Sequence, residues 1–134
     1  MFSHEKLTVY QKAIAFVAWS QPLLESLPAK ISVRDQLDRA STSIPLNIAE
    51  GNVKFSAADR ARFLQIAVGS AVECAACLDV VVARGLRGAN DVMAGKEQIE
   101  MIVKMLMGLL DRLGYRFDGE TGNAWSVRED EILG

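Results

Sequence analysis

Residues 57–83 narrow the fold more than any other part of the sequence. Phe63, Ile66, Ala67, Ser70, Cys74, Cys77, Leu78 and Val81 recur at the 3-and-4 spacing of one helical face. Leu64, Val68, Ala71, Val72, Ala75, Val80 and Val82 carry apolar character well around the same cylinder. A helix apolar nearly all round must be covered nearly all round, which is the strongest local argument for an oligomer. A chain of 134 residues suits one domain with one core. Half of its residues are hydrophobic and its mean hydropathy is +0.14, which is high for a small soluble chain. Part of that surface is expected between copies, as a homo-oligomer.

Three further helices supply the rest of the bundle. The first is predicted from about Lys6 to Leu27. Leu7, Tyr10, Ile14, Val17 and Leu24 mark its face, Ala13, Phe16, Leu23 and Leu27 widen it, and Pro22 is placed to kink it or end it early. The second is predicted from Ser32 to about Val53, with Ser32 and Asp35 spaced as a capping pair. Ser56 is the expected N-cap of the third helix, which runs from Ala57 to Ala83 and is closed by Gly85. The fourth runs from Asn90 or Asp91 to Leu113 on a stripe of Ile99, Ile102, Val103, Leu106, Leu109, Leu110 and Leu113, and Gly114 ends it. Four helices with short links predict an all-α, antiparallel up-and-down bundle over residues 1–114. Residues 115–134 read as an irregular acidic tail, with Tyr115, Phe117 or Trp125 available to pack on the bundle.

Charge and cysteine usage exclude several classes. Fifteen Lys and Arg face 17 Asp and Glu, for a net charge of −2. The body, residues 1–112, carries +1, and the remaining 22 residues carry −3. Met1-Phe-Ser-His-Glu-Lys lacks the basic start and apolar run of an export signal, so a cytoplasmic location is expected. The Ala71–Ala83 run is too short to span a bilayer and contains Asp79 and Glu73, so no membrane partner is expected. Cys74 and Cys77 form a C-x-x-C, but the lone His4 cannot complete a four-ligand zinc site. With one histidine, no nucleophile–base pair is in prospect. Glu50 and Glu73 could face each other as a carboxylate pair, yet the Glu-x-x-His pattern of di-iron bundles is absent. The expectation is a protein that is not an enzyme and holds no cofactor or metal.

The segment Arg39-Ala-Ser-Thr-Ser-Ile-Pro-Leu-Asn-Ile-Ala-Glu-Gly51 breaks a helix rule. Leu37, Ala40, Ile44, Ile48 and Gly51 keep a buried helical stripe, but Pro45 interrupts it at a cost of ~3 kcal/mol. Pro45 also leaves the Ser41 carbonyl without its usual donor. Arg39, Ser43, Asn47, Glu50, Ser70 and Glu73 are the expected polar network that repairs this helix and locks it to the third. Lys54, Arg60 and Arg62 cluster at the second-to-third junction, and Arg84 with Arg87 at the third-to-fourth. A ring of subunits would multiply each cluster into a surface for phosphate backbones.

Leu7-Thr-Val-Tyr10, Asp35-Gln-Leu-Asp-Arg-Ala40, Ser43-Ile-Pro-Leu-Asn-Ile-Ala-Glu-Gly51, Ser56 and Arg62-Phe-Leu-Gln-Ile-Ala-Val-Gly-Ser70 with Glu73 together resemble the bacterial four helix bundle protein family. That family is named for members encoded in intervening sequences of 23S ribosomal RNA genes, and it includes relatives of the accessory variability determinant of diversity-generating retroelements. The resemblance covers residues 5–112, and its S-I-P-x-N-I-A-E-G string is its most specific part. It implies an up-and-down bundle and a ring-like homopentamer. For some members it implies association with structured RNA or a reverse transcriptase. It assigns no active site. The functional expectation is a non-enzymatic oligomeric scaffold, associated with 23S ribosomal RNA or binding a ribonucleoprotein partner. The alternative is a protein-interaction adaptor with no nucleic-acid role.

Overall fold

A computed structural model describes residues 1–117 and 125–127. After a 3-10 turn at Ser3–Lys6, four helices follow: α1 (Thr8–Ser26), α2 (Ser32–Asn52), α3 (Ala57–Ala83) and α4 (Ala89–Arg112). Each packs on its sequence neighbours, and α1 closes the ring against α4. This is the four-helix bundle predicted from periodicity. Two short antiparallel strands, β1 (Tyr115–Phe117) and β2 (Trp125–Val127), follow α4. The region expected to be wholly irregular therefore contains a hairpin, and Tyr115 packs half-buried on the core. The expectations for the side chains of Phe117 and Trp125, and for residues 118–124 and 128–134, lie outside the described residues.

Helix ends follow local chemistry. Ser56 Oγ accepts the Asp59 N–H at 3.1 Å, capping α3 as predicted. Gly85 (φ +71°) and Gly114 (φ +95°) take the left-handed turns that stop α3 and α4. The start of α2 corrects a prediction. Ile31 occupies the cap position and makes no side-chain capping bond, while Ser32 is already helical. The Asp35 carboxylate is drawn instead to Arg39 one turn on. Pro22 does not end α1, which continues to Ser26.

The core runs along the bundle axis. Leu37, Ala40, Ile44, Ile48 and Gly51 of α2 are all buried, as their spacing requires. On α1 the buried face is Val9, Ala13, Phe16, Ser20 and Leu24, rotated from the predicted one, and Ile14 is 44% exposed. On α3, Ala67, Ser70, Cys74, Cys77, Leu78 and Val81 are buried as expected, but Phe63 is only half-buried and Ile66 is exposed. Leu64, Val68 and Ala71 are buried instead. Helix α3 packs against both α2 and α4, so its buried arc is set by two neighbours and centres on its small residues. Between α1 and α4 the backbone approaches closely at Gly95, where a Cβ would fall 2.3 Å from the Trp19 ring.

Candidate functional site

Two contacts fix the register of α2 against α3. The Ser43 and Ser70 hydroxyls hydrogen-bond at 2.7 Å. Seven to eight residues along each helix, a Cβ on Gly51 would lie 3.2 Å from Phe63 Cβ and 3.3 Å from the Arg60 carbonyl. A Cβ at these distances would push the helices apart by a few tenths of an ångström, so glycine permits the close approach. Asn47 Nδ2 donates to the Ser43 carbonyl and to Ser43 Oγ, each at 2.9 Å. Ser43, Asn47 and Ser70 thus form one connected cluster at the helix seam, close to Pro45.

The other three members of the expected network make no hydrogen bond to this cluster among the described residues. Arg39 pairs with Asp35, with Nε to Oδ2 at 3.1 Å, and this contact raises the guanidinium pKa. Glu50 pairs with Lys54 at 3.7 Å. Glu73 lies exposed on α3, and its charge adds a smaller contribution than Asp35 to the raised Arg39 pKa across the α2–α3 seam. Nor does the cluster serve the Ser41 carbonyl as predicted: the Asn47 amide bonds the Ser43 carbonyl, which is one turn behind it. Helix α2 nonetheless runs unbroken through Pro45, whose ring is buried.

Outward of this seam lies an uncovered apolar strip. Leu46 of α2 is 60% exposed, and on α3 Ile66, Val72 (54%) and Val80 are exposed as well. Gly69 sits among them, with nothing within 4 Å of a Cβ built on it. Helix α3 is long and apolar enough to cross a bilayer, yet only 44% of its most apolar stretch is buried. Arg62, Glu73 and Asp79 lie exposed among these apolar positions along α3.

The α2–α3 end concentrates cations and rings. Lys54 Nζ lies 5.0 Å from the Phe63 ring centroid, and Arg62 Cζ lies 4.8 Å from it. Arg60 Nε donates to the Lys54 carbonyl at 2.6 Å, so the guanidinium braces the turn. Antiparallel alternation brings the end of α4 here as well, and Arg60 and Arg112 line one apolar cleft of about 210 Å³ with Leu7, Leu64 and Leu109. Phe55, at the tip of the turn, is fully exposed. Sequence reasoning missed Phe55 and Arg112. An aromatic residue between a cation and a helix cap was the signal for the first, and the alternation of helices was the signal for the second. Arg84 and Arg87 lie at the opposite end, a helix length of about 40 Å away for α3. Arg87 is engaged there with the Leu86 and Ser26 carbonyls, tying the α3–α4 link to α1.

Cys74 and Cys77 are buried, unbridged thiols. Burial pushes Cys74 up to about 12, with smaller contributions from Cys77 and Glu73, and it raises Cys77 as well. Neutral thiols of this kind are poor nucleophiles and poor metal ligands. Among the described residues no three His, Cys, Asp or Glu side chains come together as a metal site.

Comparisons with known proteins agree with this fold. A comparison with curated proteins gave no match. A solved structure from Bacteroides thetaiotaomicron, a protein of unknown function from the S23 ribosomal protein family, is similar with a TM-score of 0.72 at 24% identity. That likeness covers 77% of this chain and 98% of the other, and it bears on the fold alone. The sequence model of the 23S rRNA-intervening sequence protein family matches residues 5–108, which span the bundle and include the Ser43–Gly51 string. The chain therefore belongs to the 23S rRNA-intervening sequence protein family.

Proposed function

We propose that the chain is a non-enzymatic cytoplasmic scaffold that assembles into a ring of copies and holds RNA, or an RNA–protein particle, at its α2–α3 end. The family's name ties it to 23S ribosomal RNA genes. The observation that carries the RNA reading is the grouping, beside the exposed Phe55, of Lys54 and Arg62 over the Phe63 ring and Arg60 on the Lys54 carbonyl. One subunit presents a modest positive charge there, since Glu50 offsets Lys54. A ring repeats the cluster, and repeated cations release counterions from a phosphate backbone. Assembly is supported by the uncovered strip of Leu46, Ile66, Val72 and Val80, and the resemblance implies five copies.

Filter binding to 23S ribosomal RNA fragments across a salt series tests the RNA reading. Replacing Lys54, Arg60 and Arg62 together with Ala is expected to weaken binding and flatten the log–log salt slope by about 2–3 per subunit engaged. Retention no higher than that of a neutral control protein at low salt would sink this reading. Light scattering tests assembly independently: a monomer at micromolar concentration refutes the ring. A protein-interaction adaptor without nucleic acid is the second reading, favoured by the same uncovered strip. It predicts a stoichiometric protein partner retained after nuclease treatment, together with no affinity for RNA.

A further inference from the structure

Phe55 is 103% exposed and lies between two rigid helices in the turn that carries the cation cluster. Its ring contributes nothing to the core, and leaving an aromatic of this size in water forgoes the stabilisation of burying it. The turn beneath it is held firmly. Val53 and Lys54 donate their N–H groups to the Glu50 and Gly51 carbonyls, Arg60 Nε donates to the Lys54 carbonyl, and Ser56 caps α3. The ring therefore projects from a fixed platform with cations on both sequence flanks: Lys54 next to it, and Arg60 and Arg62 one turn into α3. Phe2, also 75% exposed, lies at the same end, where Asn52 Nδ2 donates to Ser3 Oγ at 2.6 Å.

Resting on the RNA reading above, we infer that Phe55 is a stacking platform for an unpaired base, so the ligand is a single-stranded or looped stretch of RNA and not a continuous duplex. In an A-form helix the base faces are already stacked on one another, and a protruding ring finds only the groove edge and ribose hydroxyls. An unpaired nucleotide offers one free face, which a phenyl ring covers regardless of base identity. The neighbouring cations then meet the phosphates on either side. An exposed ring next to cations on a firmly held turn offers both contacts at one place, and paired strands do not supply the base face.

The test compares two RNAs of equal length, an unstructured oligouridine and a blunt duplex, bound to the full-length protein. The wild type is expected to prefer oligouridine. Phe55→Ala should lose affinity for oligouridine by about 5- to 150-fold per stacked base. Its salt slope and its duplex affinity should be unchanged, because no charge is removed. Phe55→Trp should restore or tighten oligouridine binding. Full exposure makes unfolding by these substitutions unexpected, and circular dichroism with light scattering checks fold and assembly. Failure of the wild type to bind either RNA defeats the RNA reading itself. Binding by the wild type that Phe55→Ala leaves unchanged overturns this inference alone. An equal loss on both RNAs, or a change in assembly size, assigns Phe55 to subunit contact and overturns it too.

Discussion

Gly69 offers a way to separate the stability of the chain from its assembly. It is an exposed glycine in the interior of α3, and a Cβ there meets nothing within 4 Å. Alanine or arginine at this position should therefore each stabilise the helix by about 0.7–1 kcal/mol through propensity alone. For 134 residues, about 4 °C of Tm per kcal/mol follows from the usual entropy of unfolding, so both variants should gain ~3–4 °C within a subunit. Association should respond differently. Leu46, Ile66, Val72 and Val80 each leave roughly half of their surface in water, so covering them would stabilise a contact by ~3–6 kcal/mol per protomer. That is comparable with the ~4–15 kcal/mol that association costs. Such an interface has little reserve. Gly69→Ala should fit beneath a neighbouring helix or perturb it slightly, whereas Gly69→Arg places a charged side chain in the middle of the strip. Size-exclusion chromatography with light scattering should show Gly69→Arg falling to monomer at concentrations where the wild type and Gly69→Ala stay assembled. Urea unfolding of dissociated protein should show both variants equally stabilised. An arginine variant of unchanged assembled mass would refute the assignment of this face to subunit contact.

Four further outcomes follow from the packing. Gly95→Ala puts a Cβ 2.3 Å from the Trp19 ring and should destabilise the fold by about 1–3 kcal/mol; calorimetry checks this, and relief of the loss by Trp19→Leu in the same background would tie it to that contact. Ser70→Ala removes the Ser43–Ser70 hydroxyl bond that joins α2 to α3 and should lower stability by about 0.5–1.5 kcal/mol, with no such loss expected from Thr42→Ala on the exposed face. Pro45→Ala restores a donor toward the Ser41 carbonyl at the loss of about two buried ring methylenes. The gain of ~3 kcal/mol in propensity against ~1.6 kcal/mol of lost burial predicts a net rise of about 1 kcal/mol, and a lower Tm would show that the ring's packing dominates. The Cys74 thiol rises to about 12 from an ordinary value of 9.0 because it is buried. The folded state thus holds its proton more tightly, so this stability is complete below pH ~9 and drains as pH climbs toward ~12. Cys74→Ala should flatten the alkaline limb of a Tm–pH profile, and an unaltered limb would exclude the thiol as its source.

The pattern of successes and failures in the sequence has a physical basis. Periodicity located all four helices because each carries apolar residues at the helical repeat, and Ser56, Gly85 and Gly114 marked ends by chemistry that acts within a few residues. Residues on α2 were placed correctly because its apolar positions form a single narrow stripe flanked by Arg34, Asp35, Asp38 and Arg39. Helices α1 and α3 are apolar over a wide arc, and a wide arc fixes a period without fixing a phase. Their buried faces were decided by what packs beside them, which is why Val9 and Ser20 went inside while Ile14 and Ile66 stayed out.

The same reasoning explains why the polar network was half legible. Ser43 and Ser70 are short side chains that meet where α2 lies close to α3, an approach that Gly51 permits further along the same seam, and Asn47 reaches Ser43 within α2. Arg39, Glu50 and Glu73 carry their charges on longer stems, and an opposite charge one helical turn away satisfies Arg39 and Glu50 at less ordering cost than a partner across the seam. Short polar groups therefore record how the helices meet inside one subunit. Long charged ones, together with Phe55 and the Leu46–Ile66 strip, are left facing outward. The proposed RNA contact draws on that outward set, while the inward set holds α2 and α3 close together at Gly51 and at the Ser43–Ser70 bond.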